Sequence, residues 1–165
     1  MVNTCRYKSP MGDIFLVVDE IGLTGLWLEG QKYFADTLSD EIEVLSQETS
    51  ILTETKKWLD VYFSGKEPEF TPPLHSTGST FRQQVWQILL EIPYGQTMTY
   101  GEIARRIGAM KNISRMSAQA VGGAVGHNKI SIIIPCHRVV GTNGSLTGLN
   151  HEENRIENAR HRKRF

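Results

Sequence analysis

Cysteine, histidine and arginine stand in a row at Cys136, His137 and Arg138, directly after Pro135. A neighbouring imidazole and guanidinium favour the thiolate, the form of cysteine that acts as a nucleophile or metal ligand. An inert buried thiol fits the same composition, because free cysteine packs as a small hydrophobe. Metal ligation fits less well. Cys136 and His137 are adjacent with no second pair at ligand spacing, and Cys5 with His75 completes no zinc set. The CxxCH haem pattern is absent, and no cofactor is expected. A cysteine protease is a poor match too, since its dyad is normally assembled by the fold rather than by sequence adjacency.

The elements around this triplet can be read from pattern. Asn128 precedes a β-branched run at residues 130–134, suited to a buried extended segment that Pro135 ends. Upstream, Thr80 with Gln83 and Thr99 with Glu102 form two capping boxes, each predicting a helix start. Phe81, Val85, Ile88 and Leu89 form the buried stripe of the first helix, which Pro93 and Gly95 stop. Ile103, Ala104 and Ile107 share a face of the second, which Gly108 closes. A third segment runs from Ser117 to Gly126, so the last two helices with their turn match a helix-turn-helix. Gly122 and Gly123 each cost about 1 kcal/mol in a helix relative to alanine. They suit either tight helix packing or close approach of something to the backbone.

The N-terminal part reads differently. Residues 14–18 and 23–28 are strand-like, with Asp19, Glu20 and Gly22 between them, which predicts a hairpin. From residue 31 to about 63 the pattern turns helical, with Trp58, Leu59, Tyr62 and Phe63 at helical spacing. A Pro/Gly/Ser-rich stretch from Ser64 to Gly78 is the linker, and the domain boundary is placed there, between residues 74 and 75.

With 165 residues and 39% hydrophobic content, the chain can build a core and is neither disordered nor collagen-like. No apolar run reaches the ~18 residues of a membrane span. The polar N-terminus is not a signal peptide, and two cysteines fit a reducing cytoplasm, so no membrane partner is expected. The net charge of zero conceals an asymmetry. Residues 1–100 carry seven Lys/Arg against fourteen Asp/Glu, whereas residues 101–165 carry eleven against four. A half at −7 and a half at +7 point to an anionic partner for the second.

Residues 134–140, Ile-Pro-Cys-His-Arg-Val-Val, with Val121, Gly122, Gly123, Ala124 and Asn128 upstream, closely resemble the O6-alkylguanine-DNA alkyltransferases. Gln84, Val85 and Trp86, residues 92–95 (Ile-Pro-Tyr-Gly) and residues 100–104 (Tyr-Gly-Glu-Ile-Ala) are similar to the same family. So are residues 9–12, 23–27 and 29–32, and the likeness spans residues 9–148. The resemblance implies an α/β fold: an N-terminal ribonuclease-H-like three-stranded sheet with helices, then a C-terminal α-helical domain with a helix-turn-helix. It implies a DNA-repair methyltransferase that moves an alkyl group from guanine O6, and from thymine O4, to Cys136 once per molecule. His137 would draw the thiol proton through a water, Asn128 would hold the turn around the reactive segment, and Arg138 would be a buried structural residue. Tyr100 would displace a phosphate and donate to guanine N3, while Val139 would line the pocket. The partner would be double-stranded DNA, bound by a monomer from the minor groove with the lesion base flipped out. Ala118, Ala120, Gly122 and Gly123 are small enough for a groove about 6 Å wide. Arg115, with Arg105, Arg106, Lys111 and Lys129, would contact phosphates.

Two departures from the family stand out. Gln119 occupies the place of an intercalating arginine, so flipping loses a charge. Leu149 stands where the pocket tyrosine belongs, and Lys163 falls near the position of a glutamate that orients the histidine. Residues 149–165 form a divergent tail with Leu149, Ile156, Ala159 and Phe165 its only apolar residues, a composition that predicts a solvated segment. Glu152, Glu153 or Glu157 would replace the glutamate if the tail folds back. The unmatched tyrosine and glutamate leave a second reading, a protein that binds alkylguanine without efficient transfer. A methylation-sensing transcription regulator would need a further DNA-reading domain, for which the acidic N-terminal half offers no candidate.

Overall fold

A hairpin closed at Ser9 and Gly12 begins the chain in the computed structural model, which describes residues 2–30, 44–45, 47–113 and 115–141. The contacts divide the chain into two units. The first comprises Met1–Thr77 with Lys129–Ser131; the second comprises Gly78–Asn128 with Ile132–Phe165. The division therefore falls three residues beyond the 74/75 boundary read from the linker. It is also discontinuous, because three residues from late in the chain join the first unit.

In that unit β1 (Val2–Ser9) pairs antiparallel with β2 (Gly12–Val18), and β2 with β3 (Leu23–Leu28). The predicted hairpin is β2–β3. To this three-stranded sheet the two-residue β4 (Val44–Leu45) adds a parallel edge on β1, giving the order β3-β2-β1-β4. The helical pattern read over residues 31–63 therefore fails at Val44–Leu45, which is strand, and at residues 47–49, which precede the helix; residues 31–43 of that reading lie outside the described residues. Helix is present as α1 (Ser50–Phe63), where Thr49 accepts from the N–H of Leu52 as its cap. Leu52, Leu59 and Tyr62 of α1 are buried with Ile14, Leu16 and Leu26 of the sheet. Val2, Val17 and Trp27 form a further cluster, and Gly25 leaves the space in which the Trp27 indole lies.

The free edge of β3 is covered twice, which removes a template for unwanted strand pairing. Near its start, Leu23 N–H donates to Pro73 and His75 N–H donates back to Leu23, both at 2.8 Å. A β-carbon on Gly22 would stand 2.7 Å from the Pro73 carbonyl oxygen, so only glycine allows that approach. Further along, Leu26 N–H donates to Lys129 and Ser131 N–H donates to Leu26.

The second unit holds α2 (Thr80–Glu91), β5 (Met98–Thr99), α3 (Tyr100–Lys111), α4 (Ala118–Gly126), a 3-10 turn at Cys136–Arg138 and β6 (Val139–Val140). Capping at α3 follows the sequence pattern, with Thr99 accepting from Glu102 N–H. At α2 it does not. Ser79 rather than Thr80 is the cap, accepting from Arg82 N–H, because the chain is still extended at Ser79. Nor does Gly108 end α3. The helix runs to Lys111, Asn112 takes the left-handed cap position, and Ile113 N–H bonds back to Gly108 at 2.8 Å. Val85, Ile88, Leu89, Ile103, Ile107 and Val121 form the core, and the Trp86 indole N–H donates to Ala124 of α4 at 2.9 Å.

Candidate active site and nucleic-acid interface

Cys136 opens the 3-10 turn and is 8% exposed, while His137 beside it is wholly buried. The turn is held from two sides. Asn128, itself buried, donates from Nδ2 to the carbonyl oxygen of Ile134 at 2.7 Å, and that oxygen also takes the N–H of Cys136 at 2.8 Å. Arg138 is half-buried; its Nη1 donates to the carbonyl of Ile92 at 2.8 Å, and its guanidinium lies 5.5 Å from the centre of the Tyr94 ring. The arginine thereby fixes the turn to the loop after α2 with a charge-assisted bond and a cation–π contact.

Residues 130–134 are buried, but they are not the extended segment their β-branching predicts. Ile130 makes a single bridge to Leu26, and residues 131–133 form a turn in which Ile132 has φ of 70°. That value costs a β-branched residue about 1–3 kcal/mol, so surrounding contacts rather than local preference set the path here.

Val139, fully buried, pairs with Met98, and Val140 pairs with Thr99 in the short β5–β6 ladder. Tyr100 follows Thr99 at the start of α3, so the ladder brings the tyrosine's element beside the one that leaves Cys136. The ring of Tyr100 lies 3.9 Å from where a β-carbon on Gly122 would stand. Around Gly123 there is open space, so tight helix packing does not account for it. Ala118, Gln119, Ala120 and Gly123 make an exposed face of α4 whose side chains are all short except that of Gln119.

An open groove of about 630 Å³ between α3 and the start of α4 is lined by Gly101, Ala104, Arg105, Arg115, Ser117 and Ala118. Arg105 and Arg115 are exposed there. Three other cations read as phosphate contacts have partners within the protein. Arg106 pairs with Glu91, Lys111 sits over the Phe81 ring, and Lys129 donates to the Thr77 carbonyl oxygen at 2.8 Å. Leu149, Lys163 and the three tail glutamates lie outside the described residues. Sequence reasoning missed Ile132, Ile92 and Tyr94 as supports of the turn. A backbone acceptor and a strained angle leave no mark in residue type.

The model of the 6-O-methylguanine DNA methyltransferase DNA-binding domain matches residues 80–163, and that of the ribonuclease-like domain matches residues 5–75. The chain belongs to the 6-O-methylguanine DNA methyltransferase family. The first of these matches runs well into the tail. A methylated-DNA–protein-cysteine methyltransferase of Mycobacterium tuberculosis (strain H37Rv) is 52% identical over 148 residues, covering 90% of this chain and 84% of its own. One from Methanosarcina acetivorans is 41% identical over 146 residues, covering 86% and 85%. Among solved structures, the M. tuberculosis O6-methylguanine methyltransferase superposes with a TM-score of 0.80 at 36% identity over the matched residues, covering 97% of this chain and 94% of that one. The M. tuberculosis OGT in complex with DNA gives 0.78 at 36%, covering 96% and 93%. The α/β architecture with a DNA-binding second domain is thereby the family's own.

Proposed function

We propose that this chain repairs DNA by direct transfer of an alkyl group from guanine O6, and from thymine O4, to Sγ of Cys136. In this step the bond between O6 and the alkyl carbon breaks, an S–C thioether forms, and the guanine leaves with the electron pair of the broken bond. The thiol proton passes through a water to His137, and Tyr100 donates to N3 of the departing base as its electron density rises. Nothing regenerates the thiol, so each molecule acts once. Family membership across both halves, with a held and nearly buried Cys136 at the family's motif, is the observation that carries this reading. The 3-10 turn needs Asn128 and Arg138 as its two fasteners.

A nearly buried thiol cannot reach an atom inside a duplex, so the lesion is flipped out of the stack. The short-side-chain face of α4 fits entry into the minor groove of double-stranded DNA, with Arg105 and Arg115 meeting phosphates. Gln119 fills the vacated position without adding charge. Val139 and Leu149 are assigned to the base pocket, and a monomer suffices for the reaction. Lesion binding without transfer is the competing reading, motivated by Leu149 in place of the pocket tyrosine and by the unmatched glutamate near Lys163. The test is a duplex carrying O6-methylguanine with a labelled methyl group. Label is expected to move to protein and plateau at one per chain; a plateau above one contradicts single turnover. Lesion binding with no label transferred, unchanged in Cys136→Ala, would establish the competing reading.

A further inference from the structure

Ile132 takes no part in the chemistry above, yet its backbone is the least expected among the described residues of the second unit. Its side chain is fully buried and its φ is 70°. There a β-branched side chain crowds its own backbone, whereas glycine enters freely. The other non-glycine residue with positive φ among those described is Asn112, which caps α3 and is of a type that tolerates the angle. The residues before and after Ile132 in the chain are hydrogen-bonded. Lys129–Ser131 belong to the first unit, where Leu26 bonds to Lys129 and Ser131, and the chain re-enters the second unit at Ile132. Two residues on, the Ile134 carbonyl takes the Asn128 amide and the Cys136 N–H. An extended residue at 132 would carry the chain straight on and turn that carbonyl away from Asn128.

We infer that Ile132 is a positioning residue for alkyl transfer: its left-handed turn sets the direction in which the chain presents Ile134 and Cys136. This rests on the alkyl-transfer reading. Packing explains why isoleucine stands where glycine would fit the angle. Glycine adopts the left-handed form freely and leaves it as freely, while a buried side chain holds it.

The test compares Ile132→Ala with Ile132→Gly, which lose nearly the same packing but differ in the cost of the left-handed form. Ile133→Ala and Ile133→Gly serve as the reference pair, since Ile133 is buried in the same segment with negative φ. The readout is the single-turnover rate constant at saturating O6-methylguanine duplex, with duplex affinity measured separately. Ile132→Ala is expected to slow transfer about tenfold, with affinity held within about twofold, and Ile132→Gly to recover most of the rate. At position 133 glycine is expected to do no better than alanine. A purely structural residue would move Tm alone. Equal rates for Ala and Gly at 132, or a faster Ala variant, would overturn the inference.

If the unaltered protein transfers nothing, the alkyl-transfer reading fails by itself. Position 132 is then judged by the pH profile of Cys136 alkylation with iodoacetamide, which Ile132→Ala should shift and Ile132→Gly restore; identical profiles would overturn it. If the alanine variant does not fold, the intraresidue Hα–HN cross-peak of Ile132 in the unaltered protein decides. A strong peak is the left-handed signature, and a weak one overturns the inference.

Discussion

The side-chain amide of Asn128 and the backbone N–H of Cys136 share one acceptor, the carbonyl oxygen of Ile134, at 2.7 and 2.8 Å. The nucleophile's position therefore depends in part on this buried side-chain donor, with Arg138 holding the turn from its other side. Asn128→Ala strands part of that carbonyl's bonding capacity in the interior, at a cost of about 1–3 kcal/mol. Tm is expected to fall by about 2–12 °C for a chain of this size. The transfer rate should fall with it at saturating DNA. An unchanged melting curve would show that the bond holds nothing.

Gly123 separates stability from binding. It sits in α4 with open space where a β-carbon would go, so Gly123→Ala is expected to stabilise the fold by about 0.5–1 kcal/mol. The same methyl group thickens the face assigned to the groove, so duplex affinity should drop. A thermal melt and a binding titration on one preparation check both; higher Tm with unaltered affinity would remove α4 from the interface.

The cations divide in the same way. Arg115 is exposed on the groove between α3 and α4, whereas Lys129 is spent on the Thr77 carbonyl. Arg115→Ala should reduce the slope of log affinity against log salt by about one. Lys129→Ala should leave that slope as it is. Equal loss of slope in both variants would place Lys129 at the phosphates after all.

An acid-sensitive clasp lies in the first unit. Burial alone would push the Asp19 carboxyl up, but the Gly22 N–H, the His75 ring and the Ile21 N–H outweigh it and hold the pKa below the usual carboxylate value. A folded pKa below the unfolded one gives stability that is present above the unfolded pKa and lost as pH falls through the folded one. Tm measured from neutral pH downward should therefore fall below about pH 4. Asp19→Asn should flatten that limb, and an unflattened limb would assign the acid sensitivity to other carboxylates.

Much of this was legible in the residues. The β2–β3 hairpin, the α3 cap at Thr99 and the helix-turn-helix follow from turn residues, capping chemistry and periodicity, all local effects. The reactive segment was not legible in the same way. Its isoleucines favour extended chain, but fastening of residues 129–131 to Leu26 and the pull of Asn128 on Ile134 impose a turn at Ile132. Tertiary contacts override propensity there. Ser79 displaced Thr80 as the α2 cap by one residue, a choice between two hydroxyls that type alone leaves open. The cations near α3 and α4 were read as one group because sequence shows charge but not its partners, and Glu91, Phe81 and the Thr77 carbonyl sort them.

The most direct test is the mass of the peptide containing Cys136 after one incubation with duplex DNA bearing O6-methylguanine. A methyl group in place of the thiol hydrogen on Cys136, with guanine restored in the DNA, is the predicted result. An unmodified Cys136 alongside full occupancy of the lesion, or a methyl group on Cys5 instead, would contradict it.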